Sequence, residues 1–198
     1  QDSLLAKKAA HWLALEWNRV VIPHVDKYRF TKAYAAATGA GGGGTITYDP
    51  AAVLEQIYEM NSNVDEVSCP DDGRALFVAP SVFKDIKKEV VPLLNNPGDQ
   101  MVRSRGLAGT IDGVAVVKVP SNLLPTGVKA LFWHKSALLA AQKLHEAKIL
   151  EGGHVMSGHI IKGRLRHDAW ALKGYDSASG INTKLATFQA LVAAPPTP

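Results

Sequence analysis

Five histidines crowd the last third of the chain, His134, His145, His154, His159 and His167, and imidazole is the first chemistry to test for. Metal sites want histidines at helical i,i+4 or strand i,i+2 spacing, joined by a carboxylate. His154 and His159 stand apart across a glycine loop, and His145-Glu146 lacks the second histidine of a zincin, so these residues read as solvated or hydrogen-bonded. Asp168 follows His167 directly, which puts the two on opposite faces of a strand instead of in a dyad. Ser104, Ser121, Ser157 and Ser179 sit in no G-x-S-x-G elbow. Cys69 precedes Pro70 in a turn with no neighbouring histidine.

Gly39, Gly41 and Gly44 satisfy G-x-G-x-x-G, but that motif holds a dinucleotide only where a strand enters and a helix leaves. Here a helix enters and a strand-like run leaves. No Lys-Ser or Lys-Thr follows, which excludes a Walker A loop. The carboxylate pairs Asp65-Glu66 and Asp71-Asp72 lie in turns and read as solvation. Arg103, Arg105, Arg164 and Arg166 suit a phosphate, a neighbouring subunit or ordinary surface ion pairs. No catalytic, cofactor-binding or metal-binding residue is assigned, and the chain does not read as an enzyme.

Composition narrows the class. The 198 residues carry 46% hydrophobic and 20% charged side chains, the balance of a globular protein with material for a core. The net charge of +4 comes from 22 Lys and Arg against 18 Asp and Glu, spread without long runs. It does not argue for specific nucleic-acid binding. With Cys69 as the single cysteine, no intrachain disulfide forms. No apolar run reaches the roughly 18 residues of a membrane span. The chain opens at Gln1 beside a helix, without a signal peptide's apolar block, and reads as a fragment whose beginning has been removed.

The elements that must carry any site begin with a long helix. Leu5, Ala9, Leu13, Trp17, Val20, His24 and Tyr28 recur every three or four residues, predicting a helix from Leu4 to Ala37 of roughly 50 Å. Asp2 or Ser3 would cap its start and Gly39 its end, with a kink at Pro23. Further elements follow in order: a strand at Thr45–Tyr48, a helix from Ala51 to Asn61, and a buried strand at Ala75–Ala79. Next are a helix from Pro80 to Pro92 and a hairpin turning at Asp112-Gly113. Val128–Trp133 and Ile160–Leu172 read as strands. Ser136–Leu150 is ambiguous, helical by propensity but compatible with an irregular strand. Gly39–Gly44 and Asn95–Arg105 read as mobile loops, and the tail from Leu185 to Pro198 ends in a fraying proline-rich stretch.

The order of these pieces is recognisable. The helix ending through Arg19-Val20-Val21-Ile22-Pro23-His24-Val25-Asp26-Lys27-Tyr28-Arg29 precedes Gly73-Arg74-Ala75-Leu76-Phe77-Val78-Ala79-Pro80. Then come Gly109-Thr110-Ile111-Asp112-Gly113-Val114 and Lys162-Gly163-Arg164-Leu165-Arg166-His167-Asp168-Ala169-Trp170. The series resembles the major capsid proteins of tailed bacteriophages with the HK97 fold, over about residues 4–175. The resemblance implies an α+β chain. Residues 1–47 would be the spine helix of a peripheral domain, 48–125 an axial domain, and 126–198 the return strands and tail. It also implies that Ser136–Leu150 is extended.

By function the resemblance implies a structural protein that self-assembles through hexamers and pentamers into the icosahedral head shell of a phage or prophage. Such a shell is made in the bacterial host cytoplasm and resides in the virion. Scaffolding or decoration proteins would be its partners, with packaged DNA touched only non-specifically and no membrane. Family members carry an N-terminal arm and an extended hairpin loop before the spine helix, and this sequence reads as beginning after them. The isolated chain is therefore expected to be a monomer or small oligomer, with an apolar strip exposed beside Trp12 and Trp17. An encapsulin-type compartment shell and an unassigned α/β enzyme are the alternatives.

Overall fold

The computed structural model describes residues 11–93, 107–151, 159–172 and 186–194. The chain is mixed α+β. Residues 11–16 are helical, and the helix continues through a π-helical turn at Trp17–Val21 into α1, Ile22–Thr38. Then follow β1 (Thr45–Thr47), α2 (Val53–Asp65), β2 (Arg74–Val78), α3 (Pro80–Leu93), β3 (Leu107–Ile111), β4 (Val114–Lys118) and β5 (Val128–His134). Two long strands, β6 (Leu138–Glu151) and β7 (His159–Ala171), precede the short β8 (Gln189–Val192). The expected start of the first helix, with its caps, lies outside the described residues.

The anticipated kink takes a specific form. Pro23 has no N–H for the Arg19 carbonyl, and the helix answers with a wider turn just upstream, where the Ile22 N–H reaches back to the Trp17 carbonyl. A π turn holds one extra residue, which rotates everything before it. Val20, expected on the inner stripe, is 54% exposed, while Val21 turns inward. Gly39 ends α1 as expected, but with extended backbone (φ −77°).

Six strands form one mixed sheet in the order β1-β8-β5-β2-β4-β3. β1 runs parallel to β8 and β2 parallel to β4; the other neighbours are antiparallel. The sheet takes strands from both sides of residue 125. β8 falls within the stretch that the sequence pattern reads as tail. Its Phe188-Gln189-Ala190-Leu191 stretch is buried between β1 and β5, where paired neighbours supply what a four-residue strand cannot show alone.

Period-two burial explains how the helices stack. Along β2, Arg74, Leu76 and Val78 are buried on one face, and Ala75 and Phe77 point to the other. On the second face Phe77 stacks on Trp133, with ring centroids 4.2 Å apart, and Phe30 of α1 meets both edge-on at 5.4 and 5.9 Å. Phe30, Ala33 and Ala37 of α1 are buried here. On the first face lies α2, whose Val53, Ile57, Met60 and Val64 are fully buried at i,i+4 and i,i+3 spacing. α3 packs beside it through Val82 and Ile86. The central strand β5 is buried at nearly every position because both faces are covered.

Polar groups tie these layers together. α2 starts without a side-chain cap of its own; Glu89 of α3 accepts the Val53 and Leu54 N–H groups at 3.0 and 2.8 Å. Tyr48 donates its hydroxyl to Asp85 at 2.7 Å, and burial together with that carboxylate raises the phenol's pKa. The Asp112-Gly113 turn sits at the tip of the expected hairpin, and its φ of 50° and 76° give it the type I′ pattern. Asn61 donates to Asp112 at 2.9 Å and accepts from Arg74 at 2.6 Å.

Arg74, only 3% exposed, also donates to the Cys69 and Pro70 carbonyls and pairs with Asp65 and Asp71 at 2.6 and 2.8 Å. Removing it strands Asn61 and two carbonyls. Arg74→Ala is expected to cost about 3 kcal/mol, read as a drop in denaturant midpoint at unchanged slope. A loss below about 0.5 kcal/mol, the scale of an exposed ion pair, would refute this account of the turn.

Candidate functional site

The chemistry-bearing residues fall apart in space. His134 is buried, with its Nδ1 at 2.8 Å from the Ser136 hydroxyl and its Nε2 at 2.7 Å from the Asp72 carbonyl, a structural tie between β5 and a turn. Cys69 is half-buried, and burial pushes its thiol pKa up despite nearby Arg74, which disfavours a thiolate nucleophile. Among the described residues no group of three His, Cys, Asp or Glu converges as a metal site. His154, Ser104, Ser157, Ser179, Arg103 and Arg105 lie outside the described residues, as does Asn95–Arg105 as a loop.

The glycine run is a close backbone passage. The Gly43 N–H bonds the Phe188 carbonyl at 2.9 Å and the Gly44 N–H the Ala37 carbonyl at 3.1 Å, so these donors face the chain itself. A Cβ on Gly43 would stand 2.4 Å from the Ala186 carbonyl oxygen, and one on Gly42 2.2 Å from that of Ala36. Between α1 and Phe188 the backbone at Gly42–Gly44 is hydrogen-bonded, and at Gly42 and Gly43 only glycine fits the gap.

What the structure does bring together is a helix and a hairpin. β6 and β7 pair antiparallel from Leu138↔Ala171 to Glu151↔His159, with one irregularity between Lys143 and His145. Pairing overrides the helical propensity of Ser136–Leu150. Tyr28 of α1 donates to the Asp168 carboxylate at 2.7 Å and packs edge-on against His167, with centroids 5.2 Å apart. His24 meets the same imidazole at 5.9 Å. The His167 Nδ1 is buried without a hydrogen-bond partner. His167 and Asp168 are no dyad, as expected from strand alternation, yet one tyrosine touches both.

Upstream of this contact, a groove of about 240 Å³ opens between helix and hairpin, lined by residues including Trp17, Val21, Val25, Gln142 and Leu165. The ion pair Asp26–Arg29, at 3.3 Å, sits on its wall. Beyond the groove the helix keeps Trp12 (65%), Leu15, Val20 and Ile22 exposed. The hairpin exposes Leu139 and Trp170. Exposed apolar side chains of this size on the helix and the hairpin suit contact with other chains.

No family model matches the chain, and no curated protein matches it. Among solved structures, a chain in the capsid structure of the cyanophage P-SCSP1u superposes with a TM-score of 0.68. The match covers 93% of this chain and 65% of that one, at 16% identity. A chain of Mycobacterium phage Che8 gives 0.53, over 82% of this chain and 58% of that one, at 13% identity. The fold is shared with a phage capsid chain. This chain spans less than two thirds of the length of either neighbour, and identities this low speak for the fold alone.

The Tyr28 hydroxyl first, and the Ala169 N–H second, hold the Asp168 carboxyl below the usual carboxylate range. A depressed folded-state value means the contact stabilises above the ordinary carboxylate pKa of about 3.9 and loses that contribution as pH falls through the folded value. Tyr28→Phe is expected to move the Asp168 titration, followed by carboxyl-carbon NMR, upward toward that ordinary value. An unshifted titration would mean that the hydroxyl does not hold the carboxylate.

Proposed function

We propose that this chain is a shell subunit: a structural, non-catalytic protein of the HK97 type that self-assembles into the head of a tailed phage or prophage around its DNA. The single observation behind the reading is the shared backbone course over 93% of the chain with a chain of a phage capsid. The helix–hairpin unit would form the peripheral part, with the helix through α1 as its spine, and the sheet with α2 and α3 the axial part. On this division β5 and β8 stay with the sheet that they complete. The exposed Trp12, Leu15, Val20 and Ile22 supply apolar surface for neighbouring subunits. Hexamers, pentamers, scaffolding or decoration partners and a place in the virion follow from the same reading. No convergent nucleophile, base or metal set among the described residues supports a catalytic alternative.

Shell contacts repeat, so association should grow with concentration. Light scattering is expected to show a monomer or small oligomer at micromolar concentration and rising mass toward millimolar, with rings, sheets or closed particles by electron microscopy. A mass that stays monomeric across the whole range, together with turnover of a small-molecule substrate, would overturn the reading.

A further inference from the structure

The hairpin carries cations that have no ion pair among the described residues. On β7 the alternate residues Lys162, Arg164 and Arg166 are all exposed, and alternation puts them on one face, a ladder about 13 Å long. Exposed Lys143 stands opposite Arg166 in the backbone register, where Glu146 pairs with Arg164 and Lys148 with Lys162. Among the described residues, Lys143, Lys162, Arg164 and Arg166 make no ion pair. Like charges directly across a strand pair destabilise it. A face built this way gains from an acidic surface outside the chain. Past Arg166 the same alternate positions hold Asp168, whose carboxylate accepts from Tyr28, and then an apolar pair, Leu139 opposite Trp170, each about half exposed (50% and 48%).

The complementary surface lies on the same chain. The outer side of α2 presents Glu55 and Glu59, and Glu66 follows at its C-cap; all three are exposed and none has an ion pair among the described residues. At about 100° per residue, 55, 59 and 66 fall on one stripe, about 16 Å long. Tyr58, 48% exposed, flanks it. Charge sign, length and an aromatic at the margin all match the hairpin face.

We propose that the outer face of the β6–β7 hairpin of one copy docks on the outer face of α2 of a second copy. The Lys162–Arg164–Arg166 ladder lies along the Glu55–Glu59–Glu66 stripe, and Leu139 and Trp170 pack toward Tyr58. This rests on the shell reading and names one of its subunit contacts. The two surfaces differ, so the contact is head-to-tail and propagates from copy to copy, closing into a ring or extending into a lattice. Charge sets the register and the rate of encounter, and the aromatic margin adds the anchoring area. Screening weakens it as ionic strength rises.

The test mixes isotope-labelled and unlabelled copies of the 198-residue chain at high concentration. A carbodiimide then joins amines to carboxylates without a spacer. Links from Lys162 or Lys143 to Glu55, Glu59 or Glu66 are expected in mixed-isotope pairs. Arg164→Glu with Arg166→Glu, or Glu59→Lys with Glu66→Lys, is expected to weaken association by about tenfold. All four changes in one chain restore it, because the signs match again. Circular dichroism checks that each exposed-site variant is folded. Inter-copy links confined to other surfaces, no inter-copy links at all, or no restoration in the fourfold variant overturns the contact. So does a hairpin variant that loses only retention on duplex DNA, which would make the ladder a phosphate-facing surface. Particles that assemble normally with either face reversed remove this contact and leave the shell reading standing.

Discussion

The outer half of the molecule depends on one docking interaction, the seating of α1 on the sheet through Phe30, Ala33 and Ala37. Phe30 enters between Phe77 and Trp133, two rings already stacked on neighbouring strands. Burying an aromatic of this size stabilises by a few kcal/mol, far more than any exposed polar contact on the hairpin. The β6–β7 hairpin has no core of its own, and a lone two-stranded ribbon is marginal in water. It holds its place because α1 is fixed, and α1 then presents His24 and Tyr28 to His167 and Asp168. Strip the aromatic seat away and the hairpin has nothing to lean on.

On the other face of the sheet, specificity comes from polar groups that reach between elements. Glu89 caps a helix that lacks its own cap, and Arg74 gathers a turn, a helix end and, through Asn61, the tip of the β3–β4 hairpin. Each of these ties satisfies buried donors or acceptors that would otherwise be costly. They also fix loop positions without apolar area, which suits the rim of a sheet where little core is available. The division of labour is clear: aromatic packing sets where the helix and hairpin go, and hydrogen bonds set how the turns are drawn.

That arrangement leaves the projecting parts rich in unspent interaction. The helix before α1 exposes Trp12, Leu15 and Val20, and the hairpin exposes a basic ladder ending in Trp170. Exposed apolar and charged side chains gathered in this way mark surfaces suited to contact with other molecules.

Local rules carried much of this into the sequence. The apolar run at Ala75–Ala79, the Asp112-Gly113 turn, the apolar stripe of α2 and the helix start at Pro80 each depend on near neighbours, so their signals survive without the fold. Tertiary structure decided the rest. Residues 138–151 favour a helix by composition and form a strand because β7 lies alongside. Gln189–Val192 is too short to announce itself and is buried by two flanking strands. Val20 leaves the expected stripe because a π turn, forced by a missing N–H at Pro23, rotates the helix by one residue. The glycine run from Gly39 to Gly44 looks like a loose loop until the backbone after Ala186 is laid against it. In each case the deciding partner is distant in sequence, and a pattern read along the chain holds no record of it.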